Sequence, residues 1–220
     1  WFLYTLAPQS SAYNVAFVAR VVSPIDPQKV KKAFSRIVQR HPILRAVYFM
    51  ESGMPYMKIN PSGEFDFRQT DAVGLDEDAI IAQVYKRYTT PFALEKDPVV
   101  RVDLFTRTPM DSVLLLTIHH IACDGTSIGI ILDEFRTLYA EGEAAKLPEP
   151  KFTYTEAVNR AERMLVGNEG KSLSAYWKKK LTGIPLVLDL PTDKGRPAIQ
   201  RFVGASVTFG IKKHNYDQFQ

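Results

Sequence analysis

Two adjacent histidines, His119 and His120, are followed closely by Asp124, Gly125 and Ser127. Imidazole is the side chain whose unperturbed pKa lies near neutrality, so it can accept and return a proton at physiological pH. Asp124 lies across a short turn from His120. It is placed either to orient that imidazole or to turn away and bind a cation that holds the loop in shape. Gly125 permits a positive φ or a close backbone approach. Its amide falls near a helix start, where N–H groups lack intrahelical acceptors and attract negative charge. A base, a fixed loop and an amide donor together suit attack on a carbonyl.

The elements on either side explain how such a group would be held. Val113 to Ile118 is a continuous apolar run that reads as a buried strand. From Ser127 to Leu138, the apolar residues Ile128, Ile131, Leu132, Phe135 and Leu138 recur at helical spacing. The histidines therefore sit at a strand-to-helix junction. Neighbouring strand residues point to opposite faces, which assigns packing to His119 and chemistry to His120. Diverging imidazoles, with no HExxH and no Cys/His cluster, argue against a metal. Ser127 lies outside a GxSxG context, which leaves it helix capping or a hydrogen bond at the site. Cys123 has no surroundings that would depress a thiol pKa and reads as structural.

HHxxxDG followed by Thr126-Ser127 resembles the active-site motif of condensation domains from nonribosomal peptide synthetases. Chloramphenicol acetyltransferase-like enzymes of several kinds share that motif, and other stretches make the match specific. Trp1 to Leu6, continuing to Ser11-Ala12-Tyr13-Asn14, is similar to the end of the family's first core motif. Arg40 to Phe49 resembles the second, RHxxLRTxF. Tyr154 to Val158 resembles the fourth, with Glu156 in place of the usual aspartate. Leu190 to Asp193, with Arg196-Pro197-Ala198, looks like the connector into the family's second half.

The resemblance implies an α/β fold, a chloramphenicol acetyltransferase-like two-layer sandwich with a mixed sheet and packed helices. It would be one half of a pseudo-dimeric condensation domain whose active site lies between two halves. Residues 1–182 would form the N-terminal subdomain, 183–197 a linker, and 198–220 the start of a truncated C-terminal subdomain. The implied reaction joins a carrier-bound donor acyl or peptidyl thioester to the α-amine of a carrier-bound acceptor. Both substrates would arrive on phosphopantetheine arms of carrier domains, beside an adenylation domain of the same megasynthase. No intrinsic cofactor is implied. His120 would be the base or positioning group, and the Gly125 amide the local contact for a developing oxyanion. The resemblance also pairs Arg40 with Asp124, with Arg45 as second candidate, and makes His119 a support of the site. Two alternatives stay open: an ester-forming acyltransferase using a CoA or carrier thioester, and a condensation-like recruitment domain without catalysis. With one wall of its channel missing, the fragment alone is expected to be inactive.

Composition bounds these readings. The chain has 220 residues, 45% of them apolar, enough for one sizeable core and part of a second. No apolar run approaches membrane-spanning length, and no signal peptide is visible. A single cysteine fits a reducing cytoplasm. The net charge of +4 is modest, and Lys178-Lys179-Lys180 ends a helical stretch where cations suit the dipole. No aromatic-basic stripe suggests nucleic acid. A mildly basic surface would suit an acidic carrier protein or a phosphate arm.

Local signals complete the expectation. Strands are expected at 13–22, 43–49, 56–59, 65–68, 99–106, 113–119 and 202–211. Helices are expected from the Asp26-Pro27 cap to Pro42, from about Asp76 to Tyr88, and near 127–138, 154–165 and 173–181.

Overall fold

The computed structural model describes residues 1–185, 187–188, 190–195, 202, 204, 207 and 209–218. Two compact units are formed, Trp1–Leu188 and Asp189–Gln220. In the first, a four-stranded sheet runs in the order β1 (Asn14–Val21), β6 (Asp111–His119), β5 (Val100–Thr108), β4 (Asp66–Asp71). β6 pairs antiparallel with both β1 and β5, and β4 runs parallel to β5. β2 (Ala46–Glu51) and β3 (Met54–Ile59) form a separate antiparallel hairpin. Its turn places Ser52 and Gly53 at φ 50° and 78°, the left-handed pair that tight hairpins favour.

The apolar run of β6 is buried throughout because both faces are covered. Leu114, Leu116 and Ile118 share a core with Val30, Phe34, Ile37 and Val38 of α2 (Pro27–Arg40) and Ile131 and Leu138 of α4 (Gly125–Glu141). Val113 and Leu115 meet Phe105 and, from α3 (Glu77–Tyr88), Ile80 and Val84. Further along that second face the buried residues turn polar: Asp103, Arg101, Thr117 and His119. The sheet is thus hydrophobic at one end and chemically equipped at the other.

Caps define the helices. Asp26 accepts from the amides of Gln28 and Lys29, with Pro27 at the first helical position. At α5 (Tyr154–Val166), Thr153 and Glu156 form a reciprocal capping box in which the Glu156 carboxylate accepts from the Thr153 amide at 2.7 Å. Glu156, standing where the resembled motif carries aspartate, is thus part of the helix cap.

Several expected boundaries move. The strand expected from Ile43 begins only at Ala46, because Pro42–Arg45 forms a 3₁₀ turn with proline at its start. α4 begins at Gly125 rather than Ser127. α6 spans Asn168–Leu181, earlier than its apolar pattern suggested. A Cβ on Gly170 would collide with the Leu165 carbonyl, so the glycine permits the tight α5–α6 junction. A short α1 (Phe2–Leu6) precedes the sheet and brings Tyr4 into the core. In the second unit, α7 (Lys213–Tyr216) carries a Lys213–Asp217 ion pair at 3.6 Å. The strand expected at 202–211 and the Arg196-Pro197-Ala198 stretch lie partly or wholly outside the described residues.

Candidate active site

The site begins where β6 ends. The His119 amide donates to the Val99 carbonyl at 3.0 Å, and the His120 amide donates to that of Tyr13 at 2.7 Å. Consecutive amides are therefore held from opposite sides. A turn follows at once, with the Ala122 amide donating to the His119 carbonyl at 2.9 Å. His119 remains buried at 6% exposure, whereas the His120 side chain is exposed.

Aromatic rings enclose His119. Tyr4 and Phe92 meet it edge-on at 6.2 and 5.9 Å, and Tyr13 lies tilted at 6.4 Å. Its Nδ1 accepts the Ile121 amide at 3.1 Å, which places the ring proton on Nε2. Burial, reinforced by nearby positive charge, lowers its pKa to about 4. His119 is thus a neutral residue whose Nδ1 is committed to the loop backbone.

The ring enclosing it is itself held. Arg101 donates to the carbonyls of Thr90 and Pro91 at 2.6 and 2.7 Å, and its guanidinium lies 3.7 Å from the Phe92 centroid. Asn14 donates to the carbonyls of Tyr88 and Thr90 at 2.5 and 3.0 Å. Side chains from β1 and β5, the two strands flanking β6, thus fasten the segment that delivers Phe92 to His119. Beneath it, Arg87 joins buried Asp103 at 2.6 Å and Asp66 at 3.2 Å. Asn14 entered the sequence reading only as part of a resembled motif, and Arg101 was passed over. The available signal was a charge in a strand whose neighbours are apolar.

Asp124 is the N-cap of α4. Its carboxylate accepts from both the amide and the hydroxyl of Ser127 at 2.8 Å, and the Ser127 hydroxyl accepts the Asp124 amide at 3.3 Å. The Ser127 amide and hydroxyl hold this carboxyl below the usual aspartate range. Gly125 is the first helical residue, so its amide belongs to the set without intrahelical acceptors. It does not adopt positive φ, and a Cβ there would meet nothing within 4 Å. The glycine leaves an open approach to the helix start. Cys123 is buried, which pushes its thiol up to about 12, far from a reactive thiolate.

The expected Arg40–Asp124 pair is not formed, and Arg45 does not replace it. Arg40 Nε donates to Glu134 Oε1 at 3.0 Å, and a second nitrogen donates to the Pro148 carbonyl. Arg45 donates to the carbonyls of Asn60 and Pro61 at 2.5 and 3.0 Å. Both arginines are engaged away from the loop, Arg40 by a carboxylate and Arg45 by backbone carbonyls alone with its buried Nε unpartnered, and Asp124 is satisfied by its own helix. His41, the C-cap of α2, places its Nε2 2.8 Å from Glu134 Oε2. Glu134 was missed altogether. Its signal was a carboxylate within the apolar stripe Ile131, Phe135 and Leu138.

A cavity of about 100 Å³ lies between the two regions, bordered by His41, Leu44, Ala122, Ser127 and Ile131. A larger groove of about 720 Å³ is lined by Lys29, Lys32, Arg36 and Tyr139. It lies at the far end of α4, roughly 20 Å along the axis from Gly125. Among the described residues, no cluster of His, Cys, Asp and Glu could hold a metal ion, and no helix is long and apolar enough to cross a membrane.

A family model described as a condensation domain matches residues 1–220. The chain is 35% identical over 213 residues to malpinin synthetase of Mortierella alpina, covering 94% of this chain and 3% of that protein. It is 32% identical over 220 residues to chondramide synthase of Chondromyces crocatus, covering 97% and 6% respectively. Its fold matches the starter condensation domain of rhizomide synthetase with a TM-score of 0.75 at 19% identity, covering 84% of this chain and 46% of that one. The first condensation domain of the calcium-dependent antibiotic synthetase, solved with a substrate analogue, gives 0.71 at 22% identity with the same coverages. The chain spans about half the length of these solved structures and a small part of the curated relatives.

Proposed function

The chain belongs to the condensation-domain family, and we propose that it supplies the histidine-bearing half of a domain that forms peptide bonds in nonribosomal synthesis. The observation that carries this reading is the junction itself. An exposed His120, pinned through its backbone, stands at a turn that leads to the open helix start at Gly125. In the reaction, the acceptor α-amine attacks the donor thioester carbonyl. The C–N bond forms, the C–S bond breaks, and the amine proton passes to His120 and on to the departing thiolate. The Gly125 amide, at the positive end of α4, faces the oxygen on which charge develops. His119, neutral and enclosed, orients the loop and takes no proton. Asp124 and Ser127 set the helix start, and Arg40 and Arg45 act at a distance from the reacting atoms.

Donor and acceptor would reach the site on phosphopantetheine arms of carrier domains, within a cytoplasmic synthetase that also carries an adenylation domain. Residues 1–220 alone would not turn over, because reacting groups must be held in attack geometry and shielded from water. The proposal is tested on the intact parent domain, supplied with a donor thioester and either an amine or an alcohol acceptor of the same shape. Amide product with the amine is expected. Preferential ester formation would move the chain to an ester-forming acyltransferase.

A further inference from the structure

One carboxylate holds both residues of the Arg40–His41 step. Glu134 offers Oε1 to Arg40 Nε at 3.0 Å and Oε2 to His41 Nε2 at 2.8 Å. Glu134 and Arg40 are largely buried, with side chains 13% and 16% exposed. The second Arg40 donation, to the Pro148 carbonyl, ties in the segment that follows α4. The end of α2, the middle of α4 and the chain beyond it therefore converge on a single ion cluster. Glu134 shares its helix with Asp124 and Gly125, roughly 14 Å along the axis.

Between the loop and Glu134 the packing of α4 is mostly apolar, and its next directional contact lies beyond Glu134, where the Tyr139 hydroxyl accepts the Asp26 amide at 2.9 Å. His41 and Leu44 face Ala122, Ser127 and Ile131 across the cavity of about 100 Å³, and the surrounding contacts are mostly apolar. Apolar packing is non-directional, whereas a carboxylate with one donor on each oxygen has one satisfied position. We infer that Glu134 is a positioning residue: by gripping Arg40 and His41 together, it sets the axial position of α4 and so the place of the Gly125 amide relative to His120. This rests on the acyl-transfer reading above.

The test uses the intact parent domain and three variants, Glu134→Ala, Glu134→Gln and Glu134→Asp. Glutamine keeps the reach to both partners without the charge, and aspartate keeps the charge without the reach. Glu134→Ala should lower kcat per folded molecule about 10- to 100-fold with little change in KM, the effect expected of a small misplacement. Glu134→Gln should recover more turnover than Glu134→Asp. If the alanine variant does not fold, the order of the other two decides. An aspartate variant better than the glutamine variant, or kcat unchanged throughout, would overturn the inference. Hydrogen exchange of the 121–125 amides gives a second readout that needs no product. It should accelerate in the alanine and aspartate variants and stay near the parent rate with glutamine, and equal rates in all of them would also overturn the inference. A parent domain that makes no amide while the exchange pattern holds would count against the proposed function alone.

Discussion

His119 and His120 are covalent neighbours whose amides are bound from opposite sides of β6, one by Val99 and the other by Tyr13. That division keeps one imidazole in the core and turns its neighbour out. The buried ring, with its Nδ1 accepting the Ile121 amide, stabilises the turn that presents the exposed one. Two identical side chains thus acquire different chemistry from backbone geometry.

The buried histidine makes stability pH-dependent in a defined direction. An unfolded histidine titrates near 6.5, whereas His119 in the fold titrates at about 4. Between those values the unfolded chain holds the extra proton, so stability falls as pH drops from about 6.5 to about 4. The full loss is about 3 kcal/mol. Urea unfolding at a series of pH values, on the parent and His119→Gln, should show the difference between the two proteins changing across that window. A constant difference would mean that His119 titrates normally.

Arg101 should behave as a structural clamp. Arg101→Ala removes two charge-assisted hydrogen bonds and the stacking on Phe92. A loss on the order of 3 kcal/mol is expected, measured by chemical denaturation. A loss within the range of an ordinary surface substitution would show that the 88–92 segment holds itself.

Asp124 should fail mildly and locally. As an N-cap it is replaceable by asparagine, which accepts the same amide, and only Asp124→Ala should lower Tm, by a few degrees. Because Asp124 and Arg40 make no contact, the Tm losses of Asp124→Ala and Arg40→Ala should add in the double variant. Strong non-additivity would restore the pair that the sequence resemblance suggested.

What could be read from the residues follows the range of the forces involved. The Asp26-Pro27 cap, the apolar run of β6 and the helical spacing of Ile128, Ile131, Phe135 and Leu138 are local signals, and the elements they announced are present. Partner choice was not local. Arg40 had Asp124 as a plausible anion by resemblance, yet Glu134, ninety-four residues away, lies beside it once α2 and α4 pack. The start of α6 was obscured because its apolar spacing begins only at Leu173, whereas the helix starts at Asn168 and Gly170 admits the Leu165 carbonyl. The 3₁₀ turn at Pro42–Arg45 was hidden by apolar residues that suit a strand equally well.

The most direct measurement is single-turnover amide formation by the intact parent domain and its His120→Ala variant, with substrates loaded and saturating so that chemistry limits the rate. The variant should fold normally, because its side chain is exposed and only its backbone supports the sheet. Its rate should fall by about two to four orders of magnitude, the usual range for losing a general base or a proton-positioning group. A folded His120→Ala domain that condenses at nearly the parent rate would contradict the account.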